Sequence, residues 1–413
     1  MESEGNEASH LCAKRNKPTN HSQFPSSSMQ DLSLKICILP TELITEILLR
    51  LPVKSLLKFR CVSKSWLALI SSPQFVNTHL SICANNKDNT HQRLIVTVNR
   101  HKYNLKDISV SSLLYDSVTE ALDLDYPTRN THKCISIVGS INGLICLSVG
   151  EANFFIWNPL VRKFKELSDC RDAFCFGYPC IYGFGYDERH DDYKVVVGLA
   201  NKRYDRSFLV KVKMYSLTSD SWTSIEDFRS DWFAIRSAMF VNGKLHWTIC
   251  TYCHPCDSWD IISIDLADRK WGKVEQPSYE EGDIYSTLGV LGTDLSVCYN
   301  YLGIRADVWV MKEYGVKKSW IKMFTICHPF EPLAFEFYTF FCMSNKGKVL
   351  FVCGPNVRIY NPKDDSILCS KITSYNTFYE ANIYIESLVW PFIRKEPMMH
   401  MEEIEKAQMK TIL

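Results

Sequence analysis

The chain has 413 residues, with 47 basic and 46 acidic side chains for a formal net charge of +1. That length excludes a single small domain, and the charge balance excludes a global field that would gather the protein on nucleic acid or anionic lipid. Seventeen cysteines, scattered through a large chain whose residues 1–35 hold no apolar signal segment, are expected to be reduced thiols in the cytosol and/or nucleus. No apolar run approaches the ~20 residues of a membrane span, so no membrane association is expected.

Residues 1–35 are rich in Ser, Asn and other small polar residues. They show no apolar periodicity that could offset the entropy of ordering, which predicts a disordered tail. From Leu39 the apolar residues take helical spacing: Leu43, Ile44, Ile47, Leu48 and Leu51 recur along one face. Pro40 suits the first turn of this helix, and Pro52 ends it, because proline disfavours helical geometry in the residue before it. Pro52 can also open a second helix, with Val53, Leu56, Leu57 and Phe59 or Cys61 on its inner side. Val62, Trp66, Leu69 and Ile70 continue the pattern until Ser71-Ser72-Pro73 stops it. Three short helices are therefore expected over about residues 40–72.

Beyond residue 90 the apolar period changes to two, as in Arg93–Val98 and Tyr193–Val197, which predicts β-strands. The β region also repeats. Segments centred on Trp157, Tyr215, Ile264, Trp309 and Tyr360 stand 45 to 58 residues apart, close to the ~40–50 residues of a propeller blade. Between them fall turn-and-strand elements at Asn142-Gly143, Asn242-Gly243, Gly292-Thr293 and Lys346-Gly347. A poorer sixth copy is expected at Ser112–Asp116. The late strand Ile383–Val389 has no copy after it and is expected to return to the first blade, closing the ring. The fold class is thus α+β multidomain: a small three-helix module followed by an all-β propeller-like repeat domain. The expected boundaries are a tail at 1–35, the helical module at 36–80, the β domain at 90–392 and a C-terminal tail at 393–413.

Two stretches resemble known families. Ile38-Leu39-Pro40, Leu51-Pro52-Val53 and Arg60-Cys61-Val62-Ser63-Lys64-Ser65-Trp66 together closely resemble the F-box. Gly143-Leu144, Trp157-Asn158-Pro159, Tyr182–Asp187 and Asp192–Val196 resemble the F-box-associated domain of the large plant F-box families. No Gly-Gly pair occurs in the chain, which separates these kelch-like repeats from the strict kelch pattern. The resemblance implies a helical module that inserts an apolar face against a Skp-type adaptor, itself linked to a cullin and a RING protein. The chain would then be the non-catalytic substrate-recognition subunit of an SCF-type ubiquitin ligase, using no cofactor and holding an unidentified protein target on its β domain. The residues that match the family's adaptor-facing positions are Leu39, Pro40, Ile44, Leu48, Leu51, Pro52, Leu56, Leu57, Cys61, Val62 and Trp66. Some of these must instead form the small module's own core.

Other chemistries are weaker. A DNA-reading helix-turn-helix could use Lys54, Lys58, Arg60 and Lys64, but the apolar set is too dense for a groove-facing helix. No Gly-x-Ser-x-Gly elbow or phosphate loop occurs, and Gly183-Phe184-Gly185 lacks the third glycine of a dinucleotide fingerprint. Cys250, Cys253 and Cys256 with His254 have metal-ligand spacing but no evident fourth ligand, and Cys170, Cys175 and Cys180 are a still poorer set, so no metal is expected. Trp157, Trp222, Trp271, Trp309 and Trp320 recur at blade spacing and read as packing between blades. Target contacts are expected in the longest connections, 168–181, 199–209, 226–236, 250–260 and 276–286. A non-catalytic scaffold that acts without ubiquitin transfer is the alternative function.

Overall fold

The computed structural model describes residues 39–86, 88–99, 103–127, 133–150, 153–171, 178–202, 208–230, 232–233, 236–251, 259–280, 284–301, 304–327, 338–353, 356–374 and 378–392. The expected tails at 1–35 and 393–413, and Cys253, His254 and Cys256, lie outside the described residues. The chain divides into two compact units, Met1–Ile44 and Thr45–Leu413. In the first, the described residues carry only the start of a helix.

Four helices open the described chain, one more than expected: α1 (Thr41–Leu49), α2 (Val53–Phe59), α3 (Lys64–Ser71) and α4 (Pro73–Ala84). Pro52 is extended (φ −60°, ψ 148°) and caps α2, as its missing N–H requires. Ser71-Ser72-Pro73 ends α3 but also begins α4. The Ser72 hydroxyl accepts the Phe75 N–H at 3.2 Å, and Pro73 fills the first turn, where no N–H is needed.

Six mainly antiparallel sheets follow as six blades, and a two-stranded parallel sheet, Thr119–Glu120 with Ile372–Thr373, stands beside them. Blade 1 holds Gln92–Asn99, Tyr103–Ser109 and Leu122–Asp123; blade 2 runs from Ile135–Ile141 to Lys163–Glu166; blade 3 from Tyr178–Asp187 to Ser221–Ser224. Blade 4 is built on Lys244–Thr251, Trp259–Asp265 and Trp271–Val274; blade 5 runs from Ile284–Leu291 to Trp320–Cys327, and blade 6 from Tyr338–Met343 to Ser366–Cys369. The ring closes because Phe378–Ile385 returns to blade 1 and pairs antiparallel with Gln92–Val98. A separate apolar core fills each blade interface, around Ile137, Tyr193, Leu245, Leu295, Val308 and Leu350 in turn, and the last joins blade 6 to blade 1. The expected poor repeat at Ser112–Asp116 is instead a fifth helix, α5 (Val110–Tyr115), capped by Ser109. Val110, Leu113 and Leu114 are its buried side, a helical spacing rather than an alternating one.

Tryptophans pin neighbouring blades together. The Trp222, Trp271 and Trp320 indole N–H groups, each on an outer strand, donate to Ser168, Glu226 and Glu275 carbonyls just past the outer strand of the preceding blade. Ring closure uses Asn158, which is fully buried. Its Nδ2 donates to the Ser387 and Val389 carbonyls at 3.2 and 2.9 Å, while its Oδ1 accepts the Leu160 N–H at 2.9 Å. Gly143 (φ +80°) passes so close to the returning segment that a Cβ there would lie 2.6 Å from the Ile385 carbonyl oxygen. Asn158→Ala leaves two carbonyls without this donor, so it is expected to cost about 3 kcal/mol, read as a lowered midpoint in denaturant.

Up-and-down connectivity sorts the connections onto two faces. First-to-second and third-to-fourth strand links open on one face; several are tight turns, as at Asn142-Gly143, Asn242-Gly243 and Gly292-Thr293, and the link of blade 1 that carries α5 is the long one. Second-to-third links and the links between blades open on the other. The stretches 168–181, 199–209, 226–236, 250–260 and 276–286 all fall in this second class, although strands extend further into them than expected, to Lys202 and from Phe208 for example. Gln92 pairs with Ile385, so the helices join the propeller on the face of short turns.

Candidate functional site

The helical module satisfies its own core first. Leu48, Leu49, Val53, Leu56, Ile70 and Phe75 are buried. Leu48 and Leu56, both in the expected adaptor-facing set, are 1% and 0% exposed and belong to that core. Their burial is the packing that so small a module needs to stay folded. Leu51, Leu57 and Trp66 are half-buried, with the Trp66 ring edge-on to Phe59 at 5.6 Å, and Ile44 is also half-buried. Leu39, Pro40, Pro52, Cys61 and Val62 are exposed.

Two side chains absent from the expected set belong with the exposed ones. Leu43 and Ile47 are 50% and 53% exposed, and their four-residue spacing puts them on one side of α1. Among the described residues, fourteen large hydrophobic side chains are exposed and four of them, Leu39, Leu43, Ile47 and Val62, fall in the short stretch 39–62. Each is an apolar side chain left uncovered within a short run of sequence, where single exposed apolar residues elsewhere are scattered. The signal was available, because Leu43 and Ile47 share the helical apolar pattern of α1, but α1 is apolar on more than one side and periodicity alone does not say which side faces in.

Charge frames the apolar residues. Lys54, Lys58 and Lys64 are exposed, and Arg50 is held only loosely, 3.9 Å from Glu46. Arg60 is half-buried, and burial lowers its pKa. Its Nε finds no acceptor among the described residues. α3 is fixed by Ser63, whose hydroxyl accepts the Trp66 N–H at 3.1 Å, so the Arg60–Trp66 segment holds a defined path between α2 and α3.

The propeller carries no comparable chemistry. Among the described residues no group of His, Cys, Asp and Glu side chains could hold a metal ion, and no helix is long and apolar enough to cross a membrane. Cys61, Cys83, Cys134, Cys146, Cys170, Cys298, Cys327, Cys342 and Cys369 form no disulfide among the described residues. Its buried charges are structural. Lys194, 3% exposed, donates to Asp187 at 2.6 Å and to the Leu266 carbonyl at 2.8 Å, tying blade 3 to the end of a blade 4 strand. Burial alone would raise the Asp187 carboxyl, but hydrogen bonds from Lys194 and His190 outweigh it and hold the group below the usual range.

Comparison with known proteins matches this division. Residues 36–78 match the model of the F-box domain, and residues 94–391 match that of the F-box associated beta propeller domain. An F-box/kelch-repeat protein of Arabidopsis thaliana is 33% identical over 371 residues, covering 86% of this chain and 96% of that protein. The F-box protein CPR1 of the same plant is 28% identical over 376 residues, covering 85% of this chain and 88% of its own length.

Proposed function

Because this chain belongs to the F-box proteins that carry an F-box associated β-propeller domain, we propose that it is the substrate-recognition subunit of a Skp–cullin–F-box ubiquitin ligase. The observation that carries the reading is the exposed apolar set Leu39, Leu43, Ile47 and Val62 on a module whose own core is already filled. Such a surface suits an adaptor protein, with Lys54, Lys58 and Lys64 as rim charges. The free thiols fit a reducing compartment, the cytosol or nucleus.

The chain itself does no covalent chemistry in this account. It raises the effective concentration of target lysines beside a charged conjugating enzyme, a proximity effect that needs both binding surfaces on one body. Two structural features support that arrangement. α4 packs Val76 and Leu80 against the blade 2/3 core, so the helices of residues 45–84 are seated on the propeller. The connections between blades open on the face away from those helices, which suits them to reading a target while the adaptor holds the other side.

The test is reconstituted transfer. A target captured by the intact chain should be ubiquitinated when the adaptor, cullin, RING protein and charged conjugating enzyme are supplied, and not when residues 36–84 are deleted. Capture with adaptor bound but no transfer to any captured protein would replace this reading with that of a scaffold.

A further inference from the structure

The helices and the propeller meet around one buried histidine. His79 on α4 is 1% exposed. Its Nε2 lies 2.9 Å from the Leu51 carbonyl oxygen; since a carbonyl only accepts, Nε2 carries the proton and Nδ1 is left as an acceptor. Nδ1 faces the Cys83 thiol at 3.5 Å. The ring stacks on Phe75 with centroids 6.2 Å apart, and His91, at the entrance to blade 1, stands edge-on to it at 6.3 Å. The His91 carbonyl in turn accepts the Glu386 N–H at 2.9 Å, so α4, the Leu51-Pro52 hinge, blade 1 and the closing segment converge at this point.

We propose that His79 is a proton-sensitive latch: neutral, it seats the F-box helices on the propeller, and protonated, it releases α4 and the Leu51-Pro52 hinge from blade 1. In the seated state Nε2 already carries its proton, and a proton on Nδ1 would point at a thiol, a poor acceptor, and would place a cation beside His91. The other charged or titratable groups at the joint are Lys54 on α2, Cys83 on α4, and Arg93, Asp107, Tyr384 and Glu386 on the propeller side. Arg93 is already held by Asp107, with Nε 3.0 Å from Oδ1, and Tyr384 donates to the same carboxylate at 3.0 Å. Arg93, Asp107 and Tyr384 are thus committed to one another, which leaves Glu386 as the carboxyl whose own titration must be told apart from that of His79.

Burial lowers the pKa of His79, with the Leu51 bond opposing in part, and His91 is lowered by burial and by His79. A base whose folded pKa lies below its unfolded value, near ~6.5 for histidine, contributes stability that is present above that pH and is lost as pH falls below it. Glu386 works in the opposite sense. Burial raises its pKa, so acid favours the seated form through that group, and the two effects are separable by direction.

Hydrogen exchange on the full chain, near pH ~7.5 and ~5.5 and corrected for intrinsic rates, reads the latch directly. Opening of α4 and of the start of α2 is expected to rise about tenfold on acidification, while the buried blade 5 strand Asp294–Tyr301 does not follow. In His79→Gln, which keeps a donor for Leu51 but cannot titrate, the rise should fall to the smaller part that His91 contributes. Should that variant fail to fold, the His79 titration in wild type, followed by NMR of labelled histidines, decides the matter: a midpoint below that of a free histidine supports the latch. A midpoint at or above the free value, an unchanged opening ratio in wild type, or the same ratio in His79→Gln would overturn it.

Discussion

Replacing Leu43 and Ile47 together by Asp is expected to abolish binding to a Skp-type adaptor while leaving the chain folded. Both side chains are half exposed, so the free protein pays little for the change. In a complex each carboxylate would be desolvated without a partner, and truncation of a central interface anchor alone removes about 2 kcal/mol or more. The pair should therefore weaken the adaptor complex on the order of 100-fold or more, measured by calorimetry with the melting temperature as the control. Leu48→Ala and Leu56→Ala make the contrast. Both residues are buried, so these changes should cost about 2–5 kcal/mol of folding stability, and any loss of adaptor binding should track unfolding of the helices. If Leu48→Ala and Leu43→Asp behaved alike in both assays, the separation of core from docking face would be wrong.

Lys194→Met is expected to be the most damaging single substitution in the propeller. It removes the cation from Asp187, which is 2% exposed, and also removes the bond to the Leu266 carbonyl that spans blades 3 and 4. Breaking one side of a buried pair costs about 3–5 kcal/mol because the remaining charge has no solvent to turn to. The measurement is urea unfolding of the single variant beside Lys194→Met with Asp187→Asn. The double variant should recover part of the loss, since a neutral amide is cheaper to bury. Equal stability of wild type and Lys194→Met would show that the pair contributes nothing net.

Much of the architecture was legible because each element carries its own period. Pro52 and the spacing of Val53, Leu56 and Leu57 announce α2, and recurrent segments around Trp157, Tyr215, Ile264, Trp309 and Tyr360 announce blades. What local pattern could not supply was the partner of each motif residue. Asn158 reads as part of a strand end, yet its bonds go to Ser387 and Val389, more than two hundred residues on. Trp320 reads as a blade tryptophan, yet its N–H is spent on the Glu275 carbonyl of the previous blade. Those pairings follow from ring closure and blade stacking, which are global facts.

The differences between pattern and fold have the same origin. Ser112–Asp116 falls at a strand position of the repeat, yet Val110, Leu113 and Leu114 keep helical spacing and Ser109 supplies a cap. Ser71-Ser72-Pro73 ends one helix, but a serine before proline is equally a helix start, and α4 is the element that seats the module on the propeller. In α1 the apolar residues are too many for one face. Which of them pack inward depends on α2 to α4, and only the assembled helices assign Leu48 to the core and Leu43 and Ile47 to the surface.

The most direct test of the central claim is size-exclusion chromatography of the purified full-length chain mixed with a Skp-type adaptor, beside the Leu43→Asp, Ile47→Asp variant. The account predicts that the wild-type chain and the adaptor elute together as a stable complex and that the folded variant elutes apart from it. Separate elution of a folded wild-type chain, or co-elution of the variant, would contradict it.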